Sequence, residues 1–315
     1  MRRVLAVALA AGVLAGCGSS NERSRASTRP LNVFPASFDL AVDRPARFMV
    51  GLSTVGNRFV SGGSVSLRFF FLGRERAEGD PELISEATAS FLPIPGEEDE
   101  AAPSAPRTVG GDAARGVYRV EELTFDRAGF WEVEAAATLG GGEVLRGRGA
   151  FQVLPDPLVP YPGQAAPRTE NLTTSTKGAP PEAVDSRAVT EGRIPDPKLH
   201  ATTIADAIRH GRPVLAVFAT PVYCVSKFCG PVTDVVAELA ADYGARAEFV
   251  HVEIWKDFQN QVVNEAAAEW LLRDGSLQEP WVFLIGGDGR VLARWDNVAT
   301  RGEMEPFLRD LPPTG

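Results

Sequence analysis

The chain holds three cysteines in 315 residues, and two of them, Cys224 and Cys229, stand five positions apart in the stretch YCVSKFCGPV. Two such thiols could carry thiol–disulfide exchange, which needs an accessible thiolate and a second thiol to resolve the mixed disulfide. They could equally form a staple that pins a loop. Helix geometry restricts how they pair. Helical residues five apart have Cα atoms about 8–9 Å apart, beyond the roughly 7 Å that a disulfide spans. If the two pair, they are not both helical. Pro231 suits the first position of a helix, which places Cys229 at the helix mouth and Cys224 upstream in a loop. The helix dipole acts within about one turn, so Cys229 is expected to have the lower thiol pKa. Lys227 could lower either.

The third cysteine has another context. Arg2 and Arg3 precede an apolar run from Val4 to Leu14, and Leu14-Ala15-Gly16-Cys17 follows. A basic start and an apolar core of this length read as an export signal. The LAGC word resembles the lipobox of bacterial lipoproteins, a family in which the cysteine is acylated and becomes the new N-terminus. The resemblance implies a signal peptide over 1–16, lipidation at Cys17 and a polar tether over 17–30. It also implies an extracytoplasmic chain anchored to the cell membrane through that lipid. In such a compartment disulfides persist.

The rest of the chain must position the pair. Net charge is −9, with 44% hydrophobic and 23% charged residues, which gives nucleic acid no basic surface to bind. From 31 to 154 the pattern has period two. Val65, Leu67, Phe69 and Phe71 alternate with mostly polar neighbours, and further strands are expected over Phe48–Val55, Ala87–Leu92, Val117–Phe125 and Val144–Val153. Gly- and Pro-rich turns separate them. This predicts an antiparallel sandwich, and GVYRVEELTFDRAGFWEVEA resembles a hairpin of immunoglobulin-like domains. The stretch 155–198 carries nine prolines and few large apolar residues, as a linker or surface-draped segment does.

Beyond Leu199 the elements alternate. A short helix opens at Thr203 with Asp206, and PVLAVFA (213–219) reads as a fully buried strand. Val232, Val235, Val236, Leu239 and Tyr243 fall at helical spacing. Gly287-Asp288-Gly289 marks a hairpin, and Thr300 with Glu303 caps a last helix. This order, with AVFATPVYCVSKFCGPV, EPWVFLI and DGRVLARW, resembles the thioredoxin fold over 199–315. The expected fold class is therefore an α/β thioredoxin-like C-terminal domain behind an all-β immunoglobulin-like sandwich. The resemblance implies Cys224 and Cys229 as the catalytic pair. It also implies a cis bond before Pro280, with Glu279 and Pro280 contacting an extended substrate chain. Three departures stand out: four residues between the cysteines where the family has two, Val217 in place of a buried acid, and Tyr223 in place of a tryptophan.

Other chemistry finds little footing. His200, His210 and His251 are the only histidines, and His251 on a strand reads as packing. Pro221 stands where a peroxidase would carry Ser or Thr. No organic cofactor and no metal are expected. The functional expectation is an envelope thiol–disulfide oxidoreductase acting on protein thiols or disulfides, with no nucleic-acid partner. The alternative is a binding or scaffold lipoprotein whose disulfide is structural.

Overall fold

The structure, a computed structural model, describes residues 28–74, 80–96, 103–111 and 114–312. The signal segment, Cys17 and most of the tether lie outside the described residues. Among the described residues no helix is long and apolar enough to cross a membrane.

The N-terminal body consists of β1 (Thr28–Pro35), β2 (Ala46–Thr54), β3 (Phe59–Ser61), β4 (Ser64–Gly73), β5 (Glu82–Pro93), β6 (Arg107–Val109), β7 (Gly116–Leu123), β8 (Gly129–Thr138) and β9 (Val144–Val153). The hydrogen-bonded order is β1-β9-β8-β4-β5-β7-β2, and β2 pairs back onto β1, closing a seven-strand barrel. β3 and β6 extend the sheet outside this ring. Alternation along each strand sends Phe48, Leu67, Phe69, Tyr118, Trp131 and Val133 inward, all buried. Aromatic rings fill the interior edge to face: Phe48–Phe69 and Phe125–Trp131 have centroids 4.9 Å apart, the arrangement that ring quadrupoles favour. The outer faces carry charge, as where Arg148 meets Glu132 and Glu134.

The expected immunoglobulin-like sandwich is therefore corrected to a closed barrel. Period-two alternation is identical in both, because each has one buried face per strand. Closure rests on β1, which runs parallel to β9 at Thr28–Pro30 and antiparallel to β2 at Leu31–Pro35. Gly147 permits that crossing, since a Cβ there would fall on the carbonyl oxygen of Leu31. No local pattern announces such a pairing.

The remaining elements are α1 (Pro181–Val184), α2 (Ala188–Glu191), a 3₁₀ turn (Pro197–His200), α3 (Ile204–Arg209), β10 (Val214–Ala219), α4 (Cys229–Tyr243), β11 (Glu248–Glu253), β12 (Trp255–Asp257), β13 (Val262–Val263), α5 (Glu265–Leu271), β14 (Trp281–Ile285), β15 (Val291–Asp296) and α6 (Arg301–Asp310). Four strands form a mixed sheet in the order β11-β10-β14-β15, with β10 and β11 parallel and the other pairs antiparallel. α4 and α6 cover one face through Val232, Val236, Leu239, Met304 and Leu308. α3 and α5 cover the other through Ile204, Ile208 and Trp270.

The fold class of the whole chain is corrected with the barrel. This is a mostly β protein built on a closed seven-strand barrel, with the mixed sheet as a smaller layer beside it. The α/β thioredoxin-like reading is withdrawn. The three words behind it specify local features, a strand-to-helix turn, a proline before a strand and a hairpin, and these do not by themselves define a family.

Barrel and mixed sheet meet in a charged and apolar seam. The buried Arg47 of β2 donates to Asp296 Oδ1 and to Glu303 Oε1, at 3.0 and 2.7 Å. Arg294 of β15 pairs with Asp39 at 2.6 Å, both buried. Met49, Leu92, Ile94 and Val117 of the barrel side pack with Phe228 and Val298. The stretch 155–198 packs as well: Val159 and Ala166 join the α3/α5 core, and Ala183, Val184, Asp185 and Ser186 are buried.

Candidate functional site

β10 is buried at all six positions, as a strand covered on both faces must be. It delivers the chain to a loop at 221–228 in which Lys227 takes a left-handed conformation, φ 63°. Phe228 closes the loop, and its ring is held in the apolar cluster with Met49 and Val117. The barrel thus supports the start of α4. Cys229 is the first residue of that helix, two positions before the start expected at Pro231. It forms a disulfide with Cys224, at a Cα separation of 6.0 Å. One partner is helical and the other is not, as the spacing requires.

The two sulfurs differ in environment. Cys229 is fully buried, whereas Cys224 is only partly so and lies next to Val225, 99% exposed. Ser226 Oγ is 3.3 Å from Cys224 Sγ. On the inner side, Cys229 Sγ is 3.6 Å from Glu279 Oε2. That carboxyl oxygen also accepts the Thr220 N–H at 2.7 Å. The Glu279–Pro280 bond is cis. The structure thus brings Cys224, Cys229, Glu279 and Pro280 to one place. Cys17 lies outside the described residues. Burial pushes the Glu279 carboxyl up to about 8, with the nearby Glu253 adding to the rise, against the pull of the Thr220 N–H and His251.

Behind this first layer lies a group of buried titratable residues. Asp185 Oδ2 is 3.2 Å from His200 Nε2 and 3.3 Å from His251 Nδ1, with all three side chains fully buried. Arg187 donates to the same oxygen at 2.8 Å. Burial opposes the charge on Asp185, but the hydrogen bond from His200, the nearness of His251 and the hydrogen bond from Arg187 outweigh it and hold the carboxyl well below the usual carboxylate range. Burial lowers His200. For His251 burial also acts downward, yet the Asp185 carboxylate prevails and raises it. Its Nε2 donates to the Ala219 carbonyl at 3.0 Å. Glu253, buried at the end of β11, accepts from Ser186 N–H at 2.8 Å and Ile254 N–H at 2.9 Å. Burial raises its carboxyl. Ser186 Oγ in turn accepts the Val222 N–H at 3.2 Å, which ties this layer to the cysteine loop.

The sequence reading missed Asp185, Ser186, Arg187 and Glu253, and took His251 for packing alone. No local signal marked them, since Asp, Ser and Arg are ordinary residues of a Pro-rich spacer. Asp185, His200 and His251 offer ligand atoms within 4.8 Å of one another, a set that could hold a metal ion. Arg187 already stands at the shared oxygen, however, and its fixed positive charge opposes a cation there. A separate cleft of about 660 Å³ lies at the seam, lined by Arg47, Arg119, Tyr161, Trp281, Arg294 and Glu303 among others, and includes neither cysteine nor Glu279.

No protein-family model matches the chain, and no curated protein matches it. Solved structures that match include the superoxide reductase (neelaredoxin) of Ignicoccus hospitalis, at 12% identity and a TM-score of 0.20, covering 40% of this chain and 80% of that one. Two single-residue variants of that reductase match at 14% and 15% identity, with TM-scores of 0.20, covering 40% and 41% of this chain and 80% and 84% of theirs. At that score the likeness carries no argument about reaction. None of these findings supports the thioredoxin-like lipoprotein family read from the sequence, and that recognition is corrected to a mostly β protein with a closed barrel and a buried-acid site behind one disulfide.

Proposed function

We propose that this chain is a thiol–disulfide oxidoreductase of the cell envelope, held to the membrane by lipid on Cys17 and acting on thiols or disulfides of exported proteins. The observation that carries this reading is the asymmetry of the disulfide. One sulfur is reachable at the surface, and the other is buried beside a carboxyl that is largely protonated at neutral pH. A purely structural bridge has no need of that carboxyl.

The geometry supports the following sequence. A substrate thiolate attacks Cys224 Sγ, forming a mixed disulfide and breaking the bond to Cys229. The Cys229 thiolate that leaves takes a proton from Glu279. A second substrate thiolate then attacks the mixed disulfide at the substrate sulfur and releases Cys224 as a thiolate. The substrate leaves oxidised by two electrons and the protein is left reduced. Run backwards, with Cys224 attacking and Glu279 accepting the Cys229 proton, the same steps reduce a substrate disulfide.

The test is the reduction potential of the Cys224–Cys229 pair in a glutathione or dithiothreitol series. A value of about −120 to −270 mV supports exchange. A value below about −300 mV is that of a structural disulfide and supports the scaffold alternative. For the anchor, Cys17→Ser is expected to move the protein out of the membrane fraction. Retention of the variant in that fraction would contradict lipid anchoring.

A further inference from the structure

Asp185, His200 and His251 come from three separate elements, the C-cap of α1, the 3₁₀ turn and the middle of β11, and meet with their side chains fully buried. Asp185 Oδ2 is 3.2 Å from His200 Nε2 and 3.3 Å from His251 Nδ1. The second contact has the length of a hydrogen bond, yet Nδ1 of His251 makes none among the described residues. The other nitrogen of that ring, Nε2, is taken up by the Ala219 carbonyl at 3.0 Å. A buried ring nitrogen without a partner, set against a carboxylate oxygen, is an exception among buried polar groups. A cation seated between the two atoms would make ligands of both.

The spacing fits a metal ion. Around a tetrahedral Zn²⁺ with bonds of about 2.0–2.1 Å, neighbouring ligand atoms stand roughly 3.3–3.4 Å apart. Two of the three edges between the donors are already near that length, and all three donor atoms lie within 4.8 Å of one another. The surroundings fit as well. A ligating imidazole donates its remaining N–H to a neighbouring acceptor such as a backbone carbonyl, which fixes the tautomer and turns the lone pair to the ion. Ala219 holds His251 in that way. We propose that Asp185, His200 and His251 form a binding site for one divalent transition-metal ion of the zinc class, through Oδ2, Nε2 and Nδ1. Imidazole with carboxylate suits such an ion, whereas Mg²⁺ or Ca²⁺ would find a single carboxylate.

The opposition of Arg187 to this ion is offset. Its guanidinium pairs not only with Asp185 but with Asp196 at 3.0 Å and Asp234 at 3.3 Å. Three carboxylates therefore face one fixed cation, and a divalent ion balances the two negative charges in excess. Arg187 does not fill the shared oxygen either, because a carboxylate oxygen carries a second lone pair for the ion. The ion takes the place of the hydrogen bond between His200 Nε2 and that oxygen. With all three side chains fully buried, the site is closed to a substrate chain. Its work is to pin the 155–198 stretch to β11, beside Ser186, whose Oγ accepts the Val222 N–H of the cysteine loop. The assignment goes beyond thiol–disulfide exchange and stands whether or not the cysteines turn over.

The experiment uses the full chain with its disulfide oxidised, stripped by a chelator and then titrated with Zn²⁺ and, for spectroscopy, with Co²⁺. One Zn²⁺ per chain is expected to remain after gel filtration, and Co²⁺ is expected to show the intense visible bands of a tetrahedral site. His251→Gln and Asp185→Asn should each weaken Zn²⁺ binding by about 100-fold or more. His210→Gln, at the exposed histidine, should leave it unchanged. A wild type that retains no Zn²⁺, folded variants of the trio that bind as tightly as wild type, or loss of binding in His210→Gln would each overturn the proposal. If the trio variants do not fold, zinc X-ray absorption of the wild type decides. A shell of two imidazoles with oxygen supports the site, and a shell containing sulfur or fewer than two imidazoles overturns it.

Discussion

Barrel and mixed sheet solve burial in opposite ways. The barrel interior is apolar and largely aromatic, with Phe48, Phe69, Phe125 and Trp131 in mutual contact, and its charged pairs lie on the outside. The mixed sheet is equally apolar along β10, yet it buries Asp185, His200, His251 and Glu253 beside the strand end that leads to the cysteines. Buried ionisable groups are expensive unless paired. The buried phenol of Tyr118 is the barrel's inward ionisable group among these strands, and the cluster at the strand end is what motivates the proposal of chemistry there. The barrel's part in the site is mechanical: it seats Phe228, the residue before Cys229.

The largest expected effect separates the two regions by kind. Trp131→Ala, in the middle of the barrel, is expected to cost about 3–5 kcal/mol of stability. It should leave the potential of the disulfide unchanged in the protein that remains folded. A shifted potential would mean that the barrel interior reaches the site, and the contrast would fail. Denaturant unfolding followed by Trp fluorescence, with the potential measured in parallel, provides both readings.

The seam comes next. Arg47→Ala removes a largely buried cation from between Asp296 and Glu303, leaving Asp296 without its paired arginine and Glu303 with Arg119 alone, a loss of about 3 kcal/mol. If the seam holds α4 in register, this variant should also speed reduction of the disulfide. Unchanged reduction kinetics would confine the role of Arg47 to stability.

A smaller effect has a definite pH signature. The Glu279 carboxyl is raised to about 8 in the folded protein by burial first and the charge of Glu253 second, against an ordinary value of about 4.3 in the unfolded chain. Between those values the folded state binds the extra proton. Glu279 therefore withdraws stability as pH rises from about 4.3 to about 8, and the slope ends above that. Glu279→Gln should remove this component, gaining about 1–3 kcal/mol on wild type at pH 9 while differing little at pH 4. Equal pH profiles for the two proteins would show that the carboxyl is not held protonated. Asp185 acts in the opposite sense. Its folded value is depressed, so its contribution is present above the unfolded value and is lost as pH falls through the folded one.

How much of this was legible beforehand differs between the same two regions. Strand positions in the barrel follow from alternation, and β9 falls at Val144–Val153 as expected. Closure does not follow, because it depends on β1 meeting β9 across more than 100 residues, a pairing that side-chain period does not encode. In the mixed sheet, local chemistry reads well. Thr203 caps α3 by accepting the Asp206 N–H, and Thr300 and Glu303 form a capping box. The spacing of Cys224 and Cys229 likewise allowed the disulfide that forms, with one partner outside the helix. The buried polar layer beside that disulfide was not readable, since Asp185 and His251 are far apart in the chain and become neighbours only when the Pro-rich stretch folds against β11.

The smallest effect concerns the sulfurs themselves. The helix dipole alone favours the thiolate of Cys229. In the structure burial of that sulfur acts against it. In the reduced protein iodoacetamide is accordingly expected to modify Cys224 several-fold faster than Cys229 at pH 7, read by mass spectrometry of the single variants Cys224→Ser and Cys229→Ser. Faster modification of Cys229 would restore the dipole as the dominant influence.

The most direct test of the account is to trap the intermediate. Cys229→Ser, which keeps the accessible thiol and removes the resolving one, is incubated with a cysteine peptide activated as a mixed disulfide. Cys224→Ser is treated identically. The account predicts a stable adduct on Cys224 that forms within the time that Cys224→Ser stays largely unmodified. An adduct that forms only through Cys229, or none through Cys224, would contradict it.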